Sequence, residues 1–170
     1  MDFIHKGHIG FVYVMECVGK DGRVKWRARE ENLIPNQGRD YILTSSLLSG
    51  AQLPSWYIGL YETAYAPVAS ETLLTLLANV TESTDYTSLG SLRLELTPSA
   101  LSNGVFSNID SPAEFEFTAA KTVHGGFIAS SSGQGATAGT LLSVVANSSP
   151  KPVEAGEILR VTAGLSLTTV

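Results

Sequence analysis

The chain has 170 residues, 44% of them hydrophobic and only 16% charged, and its formal net charge is −5. This length suits one domain that can bury a real core, and the composition excludes a disordered chain. The acidic balance excludes the strongly basic footprint of a nucleic-acid-binding protein. No apolar run is long enough to cross a bilayer and no apolar leader is visible, so we expect no membrane partner.

The amino-terminal segment predicts a β-hairpin. Residues 11–18 are rich in β-branched and aromatic residues, and a turn with glycine at both ends, residues 19–22, follows them. Residues 23–29 then alternate charged and apolar side chains, as a half-buried strand does. Cys17 is the only cysteine, so no intrachain disulfide can form, and its apolar neighbours favour a buried thiol in a reducing cytosol. An isolated hairpin is marginal in water, so this one must pack on the main domain or on a partner.

Two short helices are predicted after the hairpin. Asn36 is a suitable cap for a first helix, in which apolar residues recur at helical spacing up to Leu48, and Gly50 ends it. Ser70 is a suitable cap for a second helix over residues 70–78.

Short strands separated by Gly, Pro, Ser and Asn make up the remaining pattern. The predicted strands cover residues 55–61, 92–96, 105–109, 112–119, 126–130, 141–146 and 158–167. The small residues at 130–139 predict a flexible loop, which is either a connection, the favoured interpretation, or a contact tip. Because no βαβ alternation is present, we predict a mainly β fold, a jelly-roll or Greek-key β-sandwich with one or two short helices.

The predicted organisation has two parts. Residues 1–35 form an amino-terminal β-hairpin arm, and residues 36–170 form the jelly-roll β-sandwich domain. If the arm is separate from the core, deleting residues 1–30 should leave a folded domain. Within the domain, Trp56 and Tyr57 are expected in the core.

Residues with catalytic or metal-binding side chains form no recognisable constellation. His5 and His8 permit a weak metal site, although terminal histidines without a metal are far commoner. His124 has no Cys or His neighbour, which favours a turn or core histidine. Glu114 and Glu116 share one strand face above intervening phenylalanines, which favours a solvated face over a catalytic carboxylate pair. We expect no enzyme activity, no cofactor and no metal.

A basic stripe on one face of the hairpin is the candidate for partner contact. Its members are Arg23, Lys25, Arg27 and Arg29. Two interpretations stay open. Charges on an edge strand discourage aggregation, and a basic stripe also orients and accelerates the binding of an acidic partner.

Three segments carry a resemblance to known proteins. They are Glu-Asn-Leu-Ile-Pro-Asn-Gln-Gly-Arg-Asp-Tyr-Ile at residues 31–42, Trp-Tyr-Ile-Gly-Leu at 56–60, and Ser-Pro-Lys-Pro-Val-Glu-Ala-Gly-Glu-Ile-Leu-Arg-Val-Thr at 149–162. In this order they resemble a family of small virion proteins of tailed phages and prophages. Some members of that family are capsid cement, or head decoration, proteins with a jelly-roll fold. The resemblance spans roughly residues 10–168.

The resemblance implies a virion protein, made in the host cytoplasm, that binds the outside of a phage head and clamps neighbouring major capsid subunits. It also implies a homo-oligomer, a dimer or trimer, without cofactor or catalysis. Charge and position, not a family motif, place the stripe of Arg23, Lys25, Arg27 and Arg29 at the capsid. The alternative is a tail- or fibre-associated protein that binds host glycans or other virion proteins. A carbohydrate hydrolase and a non-viral adhesion module are further rivals.

Overall fold

Short segments rich in apolar residues pair into two antiparallel sheets in the computed structural model, which describes residues 9–99 and 104–167. Sheet A contains, in spatial order, β2 (Val24–Glu31), β1 (Ile9–Val18), β9 (Ile158–Leu167) and β5 (Val105–Ser107), with β6 (Ala113–Glu116) also paired to β9. Sheet B contains β4 (Leu94–Glu95), β3 (Tyr57–Tyr61), β7 (Lys121–Ala129) and β8 (Leu141–Val153). The helices are α1 (Asn36–Leu47) and α2 (Leu73–Asn79). The predicted fold class, a β-sandwich with two short helices and an amino-terminal hairpin, is confirmed.

Strand β1 is an internal strand of sheet A. It pairs with β2 on one side and with β9 on the other, from Ile9 opposite Leu167 to Val18 opposite Ile158. Every second side chain, at positions 11, 13, 15 and 17, points into the sandwich and is at most 2% exposed. The hairpin therefore packs on the main domain and shares its core, and it is not a detached arm. The predicted division of the chain into residues 1–35 and residues 36–170 stays a prediction.

Strand β3 of sheet B is buried on both faces. Ile58 and Leu60 belong to the core between the two sheets. Tyr61 belongs to a second core, on the outer face of sheet B, where it packs with Leu73 and Leu76 of α2. Apolar residues in continuous runs are typical of such doubly covered strands.

Two glycine–aromatic pairs hold β3 and β7 together on this outer face. Gly59 lies opposite Phe127 and Tyr61 lies opposite Gly125. A Cβ atom on either glycine would stand 2.2 Å from the facing ring, so each ring occupies the space that a side chain would need. The hydroxyl of Tyr61 also donates a hydrogen bond to the carbonyl oxygen of Val145, at 2.7 Å.

Both helices begin close to, but not at, the predicted caps. Pro35 precedes α1 as its N-cap, and Asn36 is the first helical residue. Helix α2 begins after Thr72, two residues beyond the predicted cap Ser70. Thr72 and Thr75 form a reciprocal capping box, in which each side chain accepts a hydrogen bond from the other residue's backbone N–H. A capping box needs a side-chain oxygen at the cap and another three positions later, and Thr72 with Thr75 meets this requirement.

A buried asparagine divides the predicted strand over residues 105–109 and links β5 to β6. The Nδ2 atom of Asn108 donates to the carbonyl oxygen of Val161 at 3.1 Å, and its Oδ1 atom accepts from the amide of Ala163 at 2.7 Å. The side-chain amide thus continues the hydrogen-bond ladder along β9 where no strand backbone is present. Backbone groups of β9 that would otherwise be buried without partners are satisfied in this way.

The position of β1 reverses the expectation for the truncated chain. Deleting residues 1–30 removes an internal strand and its buried side chains, so we expect the remaining chain to lose cooperative unfolding in urea. Circular dichroism during urea denaturation measures this. The control Val24→Ala changes a half-exposed side chain of the same hairpin and should unfold like the wild type. A cooperative transition in the truncated chain would show that the hairpin is a separate arm after all.

Candidate functional site

The predicted basic stripe lies along β2 and the turn before it, at the edge of sheet A. Three of its members pair with acidic side chains of the same chain: Arg23 with Asp21 (nitrogen to oxygen, 3.9 Å), Lys25 with Glu157 (2.6 Å), and Arg27 with Glu16. Within residues 9–99 and 104–167, Arg29 forms no ion pair. Most of the positive charge of the stripe is therefore neutralised internally, which weakens the case for an acidic partner.

Lys25 is tied to a buried carboxylate. Glu157 accepts hydrogen bonds from Lys25 Nζ at 2.6 Å, from the Glu154 amide at 2.9 Å and from Cys17 Sγ at 3.3 Å. Burial raises the pKa of the Glu157 carboxyl, but these hydrogen bonds outweigh burial and hold that pKa below its usual range. Burial, together with Glu157, raises the pKa of the Cys17 thiol to about 12. The predicted burial of Cys17 is confirmed, and a thiol with this pKa is a poor nucleophile.

The Glu157 network predicts a pH-dependent stability. A carboxyl whose pKa is lower in the folded chain stabilises the fold above its unfolded pKa, about 4.3, and loses this effect as the pH falls through the folded value. Glu157→Gln should therefore melt below the wild type at pH 7, and the gap should close as the pH falls below about 4. Calorimetry from pH 3 to pH 7 measures it. The control Glu154→Gln, at an exposed neighbour, should melt close to the wild type, whereas a pH-independent gap for Glu157→Gln would contradict the network.

A row of alternating charges crosses the outer face of sheet A. From β2 through β1 and β9 to β6, the row contains Arg27, Glu16, Arg160 and Glu114, which we call the charge ladder. Backbone register places each member opposite the next. Arg27 pairs with Glu16, and Arg160 Nε lies 2.6 Å from Glu114 Oε1. The solvated face predicted for Glu114 and Glu116 is confirmed, because both are exposed while Phe115 is fully buried.

Helix α1 packs Tyr41 and Ile42 against the core but leaves Leu43, Leu47 and the C-cap Leu48 exposed. Gly38 is its only buried residue, and a Cβ atom there would stand 2.3 Å from the carbonyl oxygen of Leu142. The first turn therefore lies close against β8, whereas Leu43, Leu47 and Leu48 are 54%, 74% and 74% exposed. Helical spacing correctly predicted the helix, but apolar spacing normally indicates a buried face, and here these leucines face outward.

An apolar groove beside α1 extends this exposed region. It has a volume of about 210 Å³ and is lined by side chains that include Phe11, Ile42, Trp56 and Leu165. Trp56 packs edge to face on Tyr41, with 5.0 Å between ring centroids. A smaller groove joins Ile9 to Ile42 and Leu43. We call the exposed leucines 43, 47 and 48 with Ile9 and Ile42 the α1 surface; it lies at the end of the sandwich where β1 begins and β9 ends.

Arg93 holds the loop over residues 130–139, which the sequence predicted to be flexible. Two nitrogens of its buried guanidinium donate to the two oxygens of Glu82, at 2.7 and 2.9 Å. The same guanidinium donates to Ser131 and to the carbonyl oxygen of Ala136, and Glu82 accepts from the Gly135 amide. This pair explains why Arg93 is buried inside the predicted strand over residues 92–96, which alternates leucines with charged residues.

Breaking this buried pair should be costly. Arg93→Met leaves Glu82 buried without its partner, and we expect the free energy of unfolding in urea to fall by roughly 3–5 kcal/mol. Arg93→Met combined with Glu82→Leu removes both charges and should recover much of the loss. Arg23→Met, which removes an exposed guanidinium, is the control and should change stability by about 0.5 kcal/mol or less. A stable Arg93→Met single variant would show that the pair is not needed.

The other residues considered for catalysis or metal binding do not form a site within the described residues. His124 is half-buried in β7, and the part of the chain that the structure describes contains no group of three His, Cys, Asp or Glu side chains able to hold a metal ion. His5 and His8 lie outside the described residues. In the described ranges, neither helix combines the length and the hydropathy that crossing a membrane requires.

A groove of about 340 Å³ beside β4 is the place where a glycan would be sought. Its lining includes Tyr57, Leu89, Glu95 and Ser132. It thus offers one aromatic ring and one carboxylate, but no amide side chain among its lining residues, so it meets the requirements of a sugar site only in part. Trp56 and Tyr57 are both half-buried, which differs from their predicted place in the core.

Comparison with known proteins identifies no relative: no family model, no curated protein and no solved structure matches this chain. The resemblance to phage head decoration proteins therefore stays a prediction from three segments. In the structure, residues 31–42 run from the end of β2 into α1, and residues 56–60 include most of β3. Residues 149–162 run from the end of β8 into β9.

Proposed function

We propose that this chain is a virion structural protein that binds the outer surface of a phage capsid and clamps neighbouring major capsid subunits. The α1 surface is the observation that carries the proposal. Grouped, exposed apolar side chains on a protein surface are typical of sites that bind other proteins. The resemblance described above supplies the partner, and the α1 surface supplies a means of binding it.

The composition around α1 suits a contact driven by apolar burial. From Tyr41 to Tyr61 the chain contains no charged residue, so the charge nearest to the groove between Ile9 and α1 is that of Arg39, which lines it. A contact centred on the leucines therefore has little charge to desolvate. Burying a leucine side chain contributes roughly 1.5–3 kcal/mol, so three partly exposed leucines support a weak contact. A cement protein repeats such a contact many times over a shell, where avidity replaces one strong site.

The basic stripe stays a prediction for a second contact with the capsid. Arg29 is the member best suited to a new partner, because Lys25 and Arg27 would first have to leave Glu157 and Glu16. A charge at the rim of an interface affects the rate and orientation of binding more than its strength. The stripe would therefore assist a contact that the α1 surface stabilises.

The experiment is co-sedimentation of the purified chain with heads that lack it, from the phage whose genome encodes it. We expect saturable binding in a fixed ratio to the major capsid protein, and heads that survive more heat. The double variant Leu47→Asp and Leu48→Asp should bind at least about tenfold more weakly, because charged side chains would have to be desolvated in the contact. The control Leu89→Asp alters an 88% exposed leucine outside α1 and should bind like the wild type.

Each other outcome has a definite meaning. Unchanged binding of the double variant would remove α1 from the contact, and Arg29→Glu would then test the basic stripe. Binding of the wild type to tails or host-surface sugars, without binding to heads, would favour the alternative function, a tail- or fibre-associated protein. The groove beside Tyr57 would then be the first place to mutate.

A further inference from the structure

We propose that two copies of this chain pair face to face through the outer face of sheet A. The two-fold axis of the pair lies in the interface, runs parallel to β1 and β9, and passes between these two strands. The occupant of this face is thus a second copy of the same chain. The charge ladder and the side chains on either side of it carry the argument.

The charge ladder is self-complementary under this rotation. Its signs from β2 to β6 are plus, minus, plus and minus, in the order Arg27, Glu16, Arg160, Glu114. Rotation about an axis parallel to the strands reverses the order in the second copy. Arg27 of one copy then lies over Glu114 of the other, and Glu16 lies over Arg160. Every positive charge meets a negative one, as a two-fold interface requires of its own surface.

The rows beside the ladder are also compatible with the pairing. On one side Val14 lies opposite Thr162, and on the other Val18 lies opposite Ile158. The same rotation places Val14 over Thr162 of the second copy and Val18 over Ile158. Both rows also contain a charge, because Arg29 lies opposite Val14 on β2 and Glu116 lies opposite Ile158 on β6. The rotation brings no two like charges together in these rows, and Val18, which is only 5% exposed, adds little contact area.

The size of this face lies at the low end of the range for a specific dimer, because β6 contributes only four residues to it. Strand β1 has 10 residues and spans about 33 Å, and four neighbouring strand positions span about 19 Å. Such a footprint approaches the roughly 800 Å² per partner that stable interfaces of standard size bury. Face-to-face packing of aligned sheets is an ordinary arrangement for antiparallel sheets.

Pairing through the β2 edge of sheet A is less suitable, because strand β8 of sheet B covers part of that edge. Trp26 Nε1 in β2 donates to the carbonyl oxygen of Pro152 in β8, at 2.9 Å. The amide of Ser148, also in β8, donates to Glu30 Oε1 at 3.0 Å. The outer face of sheet B is likewise covered, by α2. These contacts leave the outer face of sheet A as the broad sheet surface that a second copy can reach.

The geometry has a consequence for the capsid contact. Helix α1 lies at the end of the sandwich where β1 begins, and an axis parallel to β1 leaves both α1 surfaces at the same end of the dimer. The dimer covers the face of sheet A that carries Arg27 and Arg29, so the capsid contact then depends on the two α1 surfaces and not on the basic stripe. Two apolar contacts that point in one direction can bind two neighbouring subunits of a shell. This consequence rests on the proposed function, whereas the pairing itself does not.

The experiment measures the mass of the full-length chain by sedimentation equilibrium over a range of concentrations. The wild type should rise from 18.0 kDa to twice that mass, and 1 M salt should weaken the pairing. One half-swapped variant carries Arg27→Glu with Glu16→Arg, and the other carries Arg160→Glu with Glu114→Arg. Each keeps its intrachain ion pair with reversed signs, but two copies of the same variant present like charges to each other.

Each half-swapped variant should therefore self-associate at least about tenfold more weakly than the wild type. An equimolar mixture of the two should recover the dimer, because the row of one variant complements the reversed row of the other. Each swap also places like charges at positions 16 and 160, which lie opposite each other on β1 and β9 of one chain. The melting temperature of each variant, compared with that of the wild type, measures how much these like charges destabilise the fold. The control swap Asp21→Arg with Arg23→Asp, in the β1–β2 turn, should dimerise like the wild type.

The proposal is overturned by a wild type that stays monomeric at every concentration or forms a trimer, by half-swapped variants that dimerise like the wild type, or by a mixture that stays monomeric. These measurements use no capsid. Failure of the pairing is therefore distinguishable from failure of the proposed function, which the co-sedimentation experiment tests separately.

Discussion

The pairing of β1 with β9 is the constraint on which the rest of the structure depends. These strands come from opposite ends of the described chain and pair over ten positions, from Ile9 opposite Leu167 to Val18 opposite Ile158. One face of the pair supplies the core between the sheets, and the other presents half of the charge ladder. The same pairing brings the start of β1 beside α1. Long-range pairing of this kind couples the two ends of the described chain, and the loop-closure entropy that it costs slows folding.

Three buried polar side chains join segments that strand pairing leaves unconnected. Asn108 continues the backbone hydrogen bonds of β9 between β5 and β6, Arg93 binds the loop over residues 130–139, and Glu157 binds Lys25 of β2 from the turn before β9. Each is satisfied by several hydrogen bonds, so its burial does not leave an unpaired polar atom at these contacts. Such groups add little net stability, but they permit only one arrangement of the segments that they join.

The two proposed contacts differ in physical character, which suits different partners. The α1 surface consists of apolar side chains with Arg39 at its margin, so its contact is driven mainly by burial and depends little on orientation. The charge ladder consists of fixed, alternating charges, so its contact depends strongly on register and is complementary to itself. A dimer that forms through the second surface would present two copies of the first to a shell.

The sequence by itself determined the sandwich class, the hairpin, the two helices and the approximate places of the strands, because alternation, turn residues and helical spacing are local properties. It gave only part of β7 and β8, since the strands predicted over residues 126–130 and 141–146 extend in the structure over Lys121–Ala129 and Leu141–Val153. It also marked Cys17 as buried. It did not reveal the charge ladder, since Glu16, Arg160 and Glu114 are distant in sequence and become neighbours only through strand register. Nor did it reveal that Arg93 is buried or that the leucines of α1 are exposed. Those outcomes were decided by the tertiary structure, because burial and ion pairing depend on which distant segment packs against each side chain.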